Sequence, residues 1–428
     1  MHESLPQALI VLWLNFIISA VPLRLIGTFV ELLIGAMISG SGHITDALFQ
    51  VGHQKHFSTY YWLLNRGKWS SFNLIQQLVR LIITVFARKE WNFILDDFIC
   101  PRSSQKAPHA KYHHEHSQKP NRPQYIWGQQ WLGLSVSLSW DRLCACLPIL
   151  LRLHKKVGNT TKLSRGVMLV KLILPMFKNA SHVFRCLVDC WYMKAPFVLP
   201  LLALGVNVIG QARIDTVLFD FPPLCKNSKK KRGRPPKYGN KWTPDRINKL
   251  SIKRARIHVQ GGIKEIKFRT TQCLARFLKG RPVIAVWCQY PEQKGWSLIL
   301  STDLSLTPER IIKLYARRWK TEPMFNEIKH AYGVAEAWQQ TSRALHRWVS
   351  MLCTAYSLTR MLSLIAAQER NKCFVPQVPW RAHSDITAGL VRLGILMFFR
   401  RFSFSVLWNP KCKKLVVPKN KLSWKDTG

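Results

Sequence analysis

Two apolar runs in this chain close on carboxylates. "EWNFILDDFICP" reaches Asp96 and Asp97, and "HVFRCLVDCWY" reaches Asp189. Each run reads as a short β-strand. An Asp at the end of an apolar strand is costly to bury alone. It is placed there when the sheet edge must meet a ligand. A chain that does this twice is drawn toward a sheet whose strand ends carry chemistry.

The neighbouring segments extend that sheet. "WLGLSVSLSW" and "LCACLPILLRLH" read as two more strands, "SRGVMLVKLILPMFKNA" and "KAPFVLPLLALG" as helices, and "VNVIGQARID" as a further strand. Strands followed by alternating strands and helices give an α/β class with a mixed sheet. Residues 1–88 read as an N-terminal helical region. A short helix after Thr45, a turn near Gly52 and a second helix suit either a helix-turn-helix or a plain bundle. Residues 89–222 form the first part of the core. Residues 223–296 hold the basic linker "KNSKKKRGRPPKYGNK" and a β-rich insertion. Residues 297–370 return to the core, with a helix beginning at Thr307-Pro308, a good cap and first-turn pair. Residues 371–428 are a basic, weakly patterned tail.

Charge narrows the partner. The 428 residues carry 64 Lys plus Arg against 22 Asp plus Glu, a net charge of +42. Such an excess repels itself unless a polyanion is near, so double-stranded DNA is the leading partner and anionic membrane the second. Eleven cysteines without a CxxC pair point to a reducing cytosol and buried thiols, including Cys144 and Cys146. The apolar opening before Pro22 falls short of the ~20 residues that span a bilayer, and Glu3 is the sole charge before Arg24. It reads as core helices, and a membrane partner is not expected.

The segment "LTPERIIKLYARRWKTEPMFNEIKHAYG" places Glu322 among cations. On one regular helix at roughly 100° per residue, Tyr315, Arg318, Glu322 and Lys329 fall within about 60° of each other. That stripe is either a solvated face with an Arg318–Glu322 pair or a functional edge. Together with the strand carboxylates it suggests three convergent anions. Such anions repel unless divalent cations lie between them, and hard oxygen ligands suit Mg²⁺, with Mn²⁺ able to substitute.

The spacing Y-(2)-R-(3)-E-(6)-K, here Tyr315, Arg318, Glu322 and Lys329, resembles the signature of bacterial insertion-sequence DDE transposases of the IS-four type. The resemblance takes in "LDDF", "LVDCWY" and a β-rich insertion before the third acid. It implies an RNase H-like core and metal-dependent cleavage at element ends followed by strand transfer, by cut and paste. It also implies two Mg²⁺ held by Asp97, Asp189 and Glu322, and a homodimer that pairs two DNA ends in the bacterial cytosol. Tyr315, Arg318 and Lys329 would hold phosphates. Trp296 would stack on a base, against the plainer reading of a core Trp. Relatives usually follow the first Asp with Thr, where this chain has Phe98, and Pro323 follows Glu322 directly. An RNase H-fold nuclease without strand transfer, or an inactive DNA-binding relic, is the alternative.

Two further motifs stand apart. Arg232 and Arg234 in "KKKRGRPPK" match the core of an AT-hook, a minor-groove reader, against a flexible basic linker. "HAKYHHEH" holds His109, His113, His114, Glu115 and His116. Its Pro, Ser and Lys surroundings favour a loop over a zinc site.

Overall fold

A computed structural model describes residues 5–114, 123–140, 143–155, 161–178, 183–223, 236–259, 262–368 and 386–417. The chain is mixed α/β, a large mixed sheet flanked by helices, as an RNase H-like core requires. It begins with five helices: α1 (Leu5–Ile18), α2 (Ile26–Ile38), α3 (Ile44–Val51), α4 (Phe57–Asn65) and α5 (Ser71–Val85). Four strands follow: β1 (Glu90–Pro101), β2 (Lys111–His114), β3 (Tyr125–Trp140) and β4 (Leu143–Leu153). Then come α6 (Lys162–Phe177), β5 (Val183–Val188), α7 (Ala195–Ala203), β6 (Val206–Ala212), β7 (Leu218–Phe219) and α8 (Pro244–Asn248). Strands β8 (Lys253–Val259), β9 (Gly262–Ala275), β10 (Arg281–Gln289) and β11 (Ser297–Ser301) lead to α9 (Pro308–Arg317) and α10 (Thr321–Asn326). The chain continues through α11 (Ser342–Gln368), α12 (Ala388–Arg401), α13 (Phe404–Leu407), β12 (Trp408–Asn409) and β13 (Lys414–Leu415).

Two compact units divide the chain. The first comprises residues 1–88, 97–155 and 322–428, and the second residues 89–96 and 156–321. In the first unit, α11 is the central helix. It packs against α1, α2, α4, α5, α12 and β4, and its apolar residues are buried around most of its circumference. A helix that is apolar all round needs such complete cover. Among the described helices it alone is long and apolar enough to cross a bilayer. Strands β2, β3 and β4 form an antiparallel run beside it. The helices α3 and α4 take the expected places, with Gly52 ending α3 in the left-handed conformation at φ 63°. Gly42 and Gly333 bring two backbones together so closely that a Cβ on either would meet the other's main chain at 1.8 Å. Glu336 accepts from the Gly42 N–H at 3.0 Å and Trp348 Nε1 donates to its carbonyl at 2.8 Å. These bonds fix the N-terminal helices to the chain that follows α10. Within α2, Glu31 is buried and accepts a hydrogen bond from the Tyr60 hydroxyl. The tail, weakly patterned in sequence, contains α12, started by the Thr387 side chain accepting from Leu390 N–H.

In the second unit β1, β5 and β6 run parallel. β11 then pairs antiparallel with β6, β10 with β11, and β9 with β10, while β7 and β8 pair with β9. Parallel neighbours demand crossovers, and α6 and α7 supply them. Thr161 and Ser164 cap α6 reciprocally. Thr307 caps α9 with Pro308 in its first turn, as its sequence foretells.

Candidate nucleic-acid cleavage site

The site grows from the pairing of three parallel strands in the second unit. The expectation that β1 stops at its Asp pair needs correction, since the strand runs on to Pro101. Successive side chains therefore still alternate at Asp96 and Asp97. On β1, Asn92 pairs with Arg185 and Ile94 with Leu187 of β5. That is the last pair of the ladder; continued two residues, the register carries Asp96 to Asp189, the residue just after β5. On the other side Leu187 pairs with Ile209 and Val188 with Gly210 of β6, and one further step of that register carries Asp189 to Gln211. Extended in this way, the register sets Asp96, Asp189 and Gln211 in one row at the ends of the paired segments, on one face.

Helix α9 and the turn after it look onto that row. Arg318 Nη1 lies 3.1 Å from Asp96 Oδ2, and both side chains are largely buried. The Tyr315 hydroxyl donates to Gln211 Oε1 at 3.1 Å. Burial pushes the Tyr315 phenol above its ordinary value, and nearby Asp189 adds to this while Arg318 opposes it. Tyr315 is therefore a proton-bearing donor at neutral pH. Asp189 Oδ1 accepts the backbone N–H groups of Trp191 and Tyr192 at 3.1 and 3.2 Å, which orients its carboxylate. The half-exposed Trp191 ring has Lys162 Nζ at 4.0 Å and Lys194 Nζ at 4.8 Å from its centroid. Beside Gln211 a cavity of about 340 Å³ is lined by Tyr290, Tyr315, Trp319 and Ser297.

The single-helix picture of the signature also needs correction. α9 ends at Arg317, residues 318–320 form a tighter 3-10 turn, α10 covers Thr321–Asn326, and Glu327–Ala331 widen into a π turn. Pro323 has no N–H to give and its ring crowds the carbonyl four residues before it. A constant 100° step does not apply across that break. Tyr315 and Arg318 belong to the second unit, Glu322 and Lys329 to the first. Neither Tyr315 nor Arg318 lies on a solvated face, since they are 4% and 6% exposed.

In the first unit, Asp97 Oδ2 accepts from Gln130 Nε2 of β3 at 2.6 Å. Phe98, in place of the usual Thr, packs on Phe325 with centroids 4.5 Å apart, and Lys329 Nζ lies 5.7 Å from its ring. Glu322 is exposed in the first turn of α10. Glu327 accepts from the Tyr356 hydroxyl at 2.8 Å, tying the π turn to α11.

The remaining expectations fall as follows. Trp296 precedes β11, half-buried, with the Arg269 guanidinium 4.7 Å from its ring centre. Arg232 and Arg234 lie outside the described residues, as do Glu115 and His116. His113 and His114, expected in a loop, belong to β2, which pairs with Tyr125 and Ile126 of β3. Cys146 is buried and Cys144 partly so. Among the described residues no three His, Cys, Asp or Glu side chains gather closely enough to hold a metal. Where the β1–β5 and β5–β6 ladders end, the second unit carries two carboxylates and an amide oxygen, all hard donors of the kind that Mg²⁺ takes. Gln211 and Gln130 had gone unmarked in the sequence. Gln211 carries a readable signal, since it and Asn207 put polar side chains on the face of Ile209 in "VNVIGQA".

A family model described as DDE superfamily endonuclease matches residues 28–271, more than half of the chain. The match covers Asp96, Asp97 and Asp189 and stops before Tyr315. No curated protein matches the chain.

Proposed function

This chain belongs to the DDE superfamily endonucleases, and from that premise we propose that it is a DNA transposase. Membership implies a nuclease-type enzyme with a DNA substrate, and such nucleases generally use divalent metal ions. The finer reading is cleavage at the ends of an insertion sequence followed by strand transfer into a target, by cut and paste, in the bacterial cytosol. The observation that carries it is the row of Asp96, Asp189 and Gln211 faced by Arg318 and Tyr315. Carboxylates and cations are interleaved there as a phosphodiester and its counter-ions require.

Mg²⁺, held by one carboxylate of the β1 Asp pair, Asp189 and Glu322, would supply the electrophilic clamp on the phosphodiester. The protein's own groups do the rest. Arg318 offers a planar fork to two phosphate oxygens, and Lys329 a point charge. Tyr315 donates a hydroxyl hydrogen bond. The Trp191 and Tyr192 N–H groups keep Asp189 turned as the substrate needs it. In the first step a water oxygen bonds to phosphorus while the bond to the 3′ oxygen breaks. That oxygen leaves with a proton as a 3′-OH. In the second step the 3′-OH attacks a target phosphodiester, one P–O bond forming as another breaks. Trp296, already stacked against Arg269, would take an unstacked base. Arg232 and Arg234 would follow a minor groove, and two copies would pair two element ends.

The test joins DNA. The purified full chain is given an end oligonucleotide with a free 3′-OH, supercoiled target DNA and Mg²⁺. The joined product is expected. Nicked target without joining would reduce the protein to a nuclease, and binding without either would leave an inactive DNA binder.

A further inference from the structure

We propose that Asp96, and not its neighbour Asp97, is the β1 carboxylate that works with Asp189 in the reaction centre. Asp97 is then a structural residue. The inference rests on the DNA-cleaving reading above and names one member of that site.

The first argument is register. Asn92 and Ile94 of β1 pair with Arg185 and Leu187 of β5, and two residues beyond the last pair the same register carries Asp96 to Asp189, just past the end of β5. Neighbouring strands lie about 4.8 Å apart, and in-register side chains of parallel strands leave the sheet in the same direction. Two carboxylates so placed can share one hard cation. The ion pair of Glu90 with Arg185 confirms that even-numbered β1 residues and odd-numbered β5 residues share this face.

The second argument is what stands over that face. Arg318, one of the signature cations, reaches Asp96, while Tyr315 reaches Gln211 at the other end of the row. The next even-numbered side chain, Phe98, meets Phe325 and Lys329. Within the second unit, the signature residues Tyr315 and Arg318 therefore stand over the Asp96 face of β1.

The third argument concerns Asp97. Alternation turns it to the opposite face, where it accepts a 2.6 Å bond from Gln130 of the adjacent β3. Gly133 of β3, three residues on and so on the other side, leaves the space that Phe325 fills. β3 thus shows the same two faces, Gln130 with Asp97 and Gly133 with Phe325. A strand cannot turn both Asp96 and Asp97 to one cation.

The experiment compares Asp96→Asn and Asp97→Asn in the full-length protein, with Asp189→Ala as reference. Two readouts are taken: Mn²⁺ binding by titration calorimetry without DNA, and Mg²⁺-dependent nicking of supercoiled DNA. Asp96→Asn should lose at least about tenfold in Mn²⁺ affinity and about a hundredfold in nicking rate. Asp97→Asn should stay within about fivefold of the parent in both, whatever its thermal midpoint. If Asp96→Asn does not fold, Asp96→Ser and Asp96→Glu give the same comparison. Loss confined to Asp97→Asn overturns the proposal, as does equal loss or equal retention in two folded variants. If Asp189→Ala keeps both properties, the functional reading itself fails, and that outcome is distinct from a wrong choice between the two Asp residues.

Discussion

Two ionic clusters stand on the same face of β1, six residues apart, and they are built differently. At the first, Arg185 is 2% exposed and joins Glu90 at 2.8 Å and Asp303 at 2.7 Å. Arg310 adds a second guanidinium to Glu90 at 3.4 Å. Ser305 gives Asp303 both its N–H and its hydroxyl. Two cations and two carboxylates balance, and each carboxylate is held by fixed donors. At the second, Asp96 and Asp189 follow the last paired residues of β1 and β5, and Arg318 comes to Asp96 from the turn where α9 breaks. The first cluster locks α9 and the loop after β11 onto the sheet. The second brings two carboxylates toward one guanidinium, an excess of negative charge that a bound cation offsets. The comparison teaches that burial of an ion pair does not by itself mark function.

That contrast can be broken by mutation. The largest effect belongs to the balanced cluster. Arg185→Ala leaves Asp303 buried without its guanidinium and should cost about 3–5 kcal/mol of stability, read as a fall in denaturation midpoint. Arg318→Ala should act the other way. Its nicking rate should fall about a hundredfold, while its unfolding midpoint moves less than that of Arg185→Ala. If Arg318→Ala proves the more destabilising of the two and cuts DNA normally, the clusters are the same kind of thing.

A smaller effect lies in acid. Burial alone would raise the Asp303 carboxyl, but hydrogen bonds from Ser305 and Arg185, with the Arg185 charge, hold it below its ordinary value. The unfolded chain therefore takes up that proton at a higher pH than the folded one. The stabilisation is complete above the usual carboxylate range and is lost as pH falls through about 4 toward the lower folded value. Asp303→Asn should flatten this part of a stability-versus-pH curve. The smallest effect is expected of Tyr315→Phe. It removes the hydroxyl bond to Gln211 and should cost about 0.5–1.5 kcal/mol in the transition state, seen as a few-fold slower cleavage.

Much of this frame is legible in the sequence. The strands β3, β4, β5 and β6 announce themselves by apolar content, and the Thr307-Pro308 start of α9 by its capping chemistry. Asp189, Tyr315 and Arg318 are legible as candidates because polar groups there interrupt apolar or basic texture. What is hidden is set by distant partners. Two adjacent Asp residues look like a strand end by propensity, yet pairing carries β1 on to Pro101. The histidine run looks like a loop until β3 offers Tyr125 and Ile126 as partners. Which Asp faces Asp189 depends on register, and a shift of one residue reverses the answer. Pro323 signals a disturbed helix, but not that a 3-10 turn before it and a π turn after it would absorb the disturbance.

The most direct measurement is nicking of supercoiled DNA by the full chain and by Asp189→Ala, prepared side by side in Mg²⁺ and in chelator. The account predicts nicks from the parent in Mg²⁺, none in chelator, and none from the variant. A variant that cuts as its parent does, or a parent that never cuts with Mg²⁺ or Mn²⁺, contradicts it.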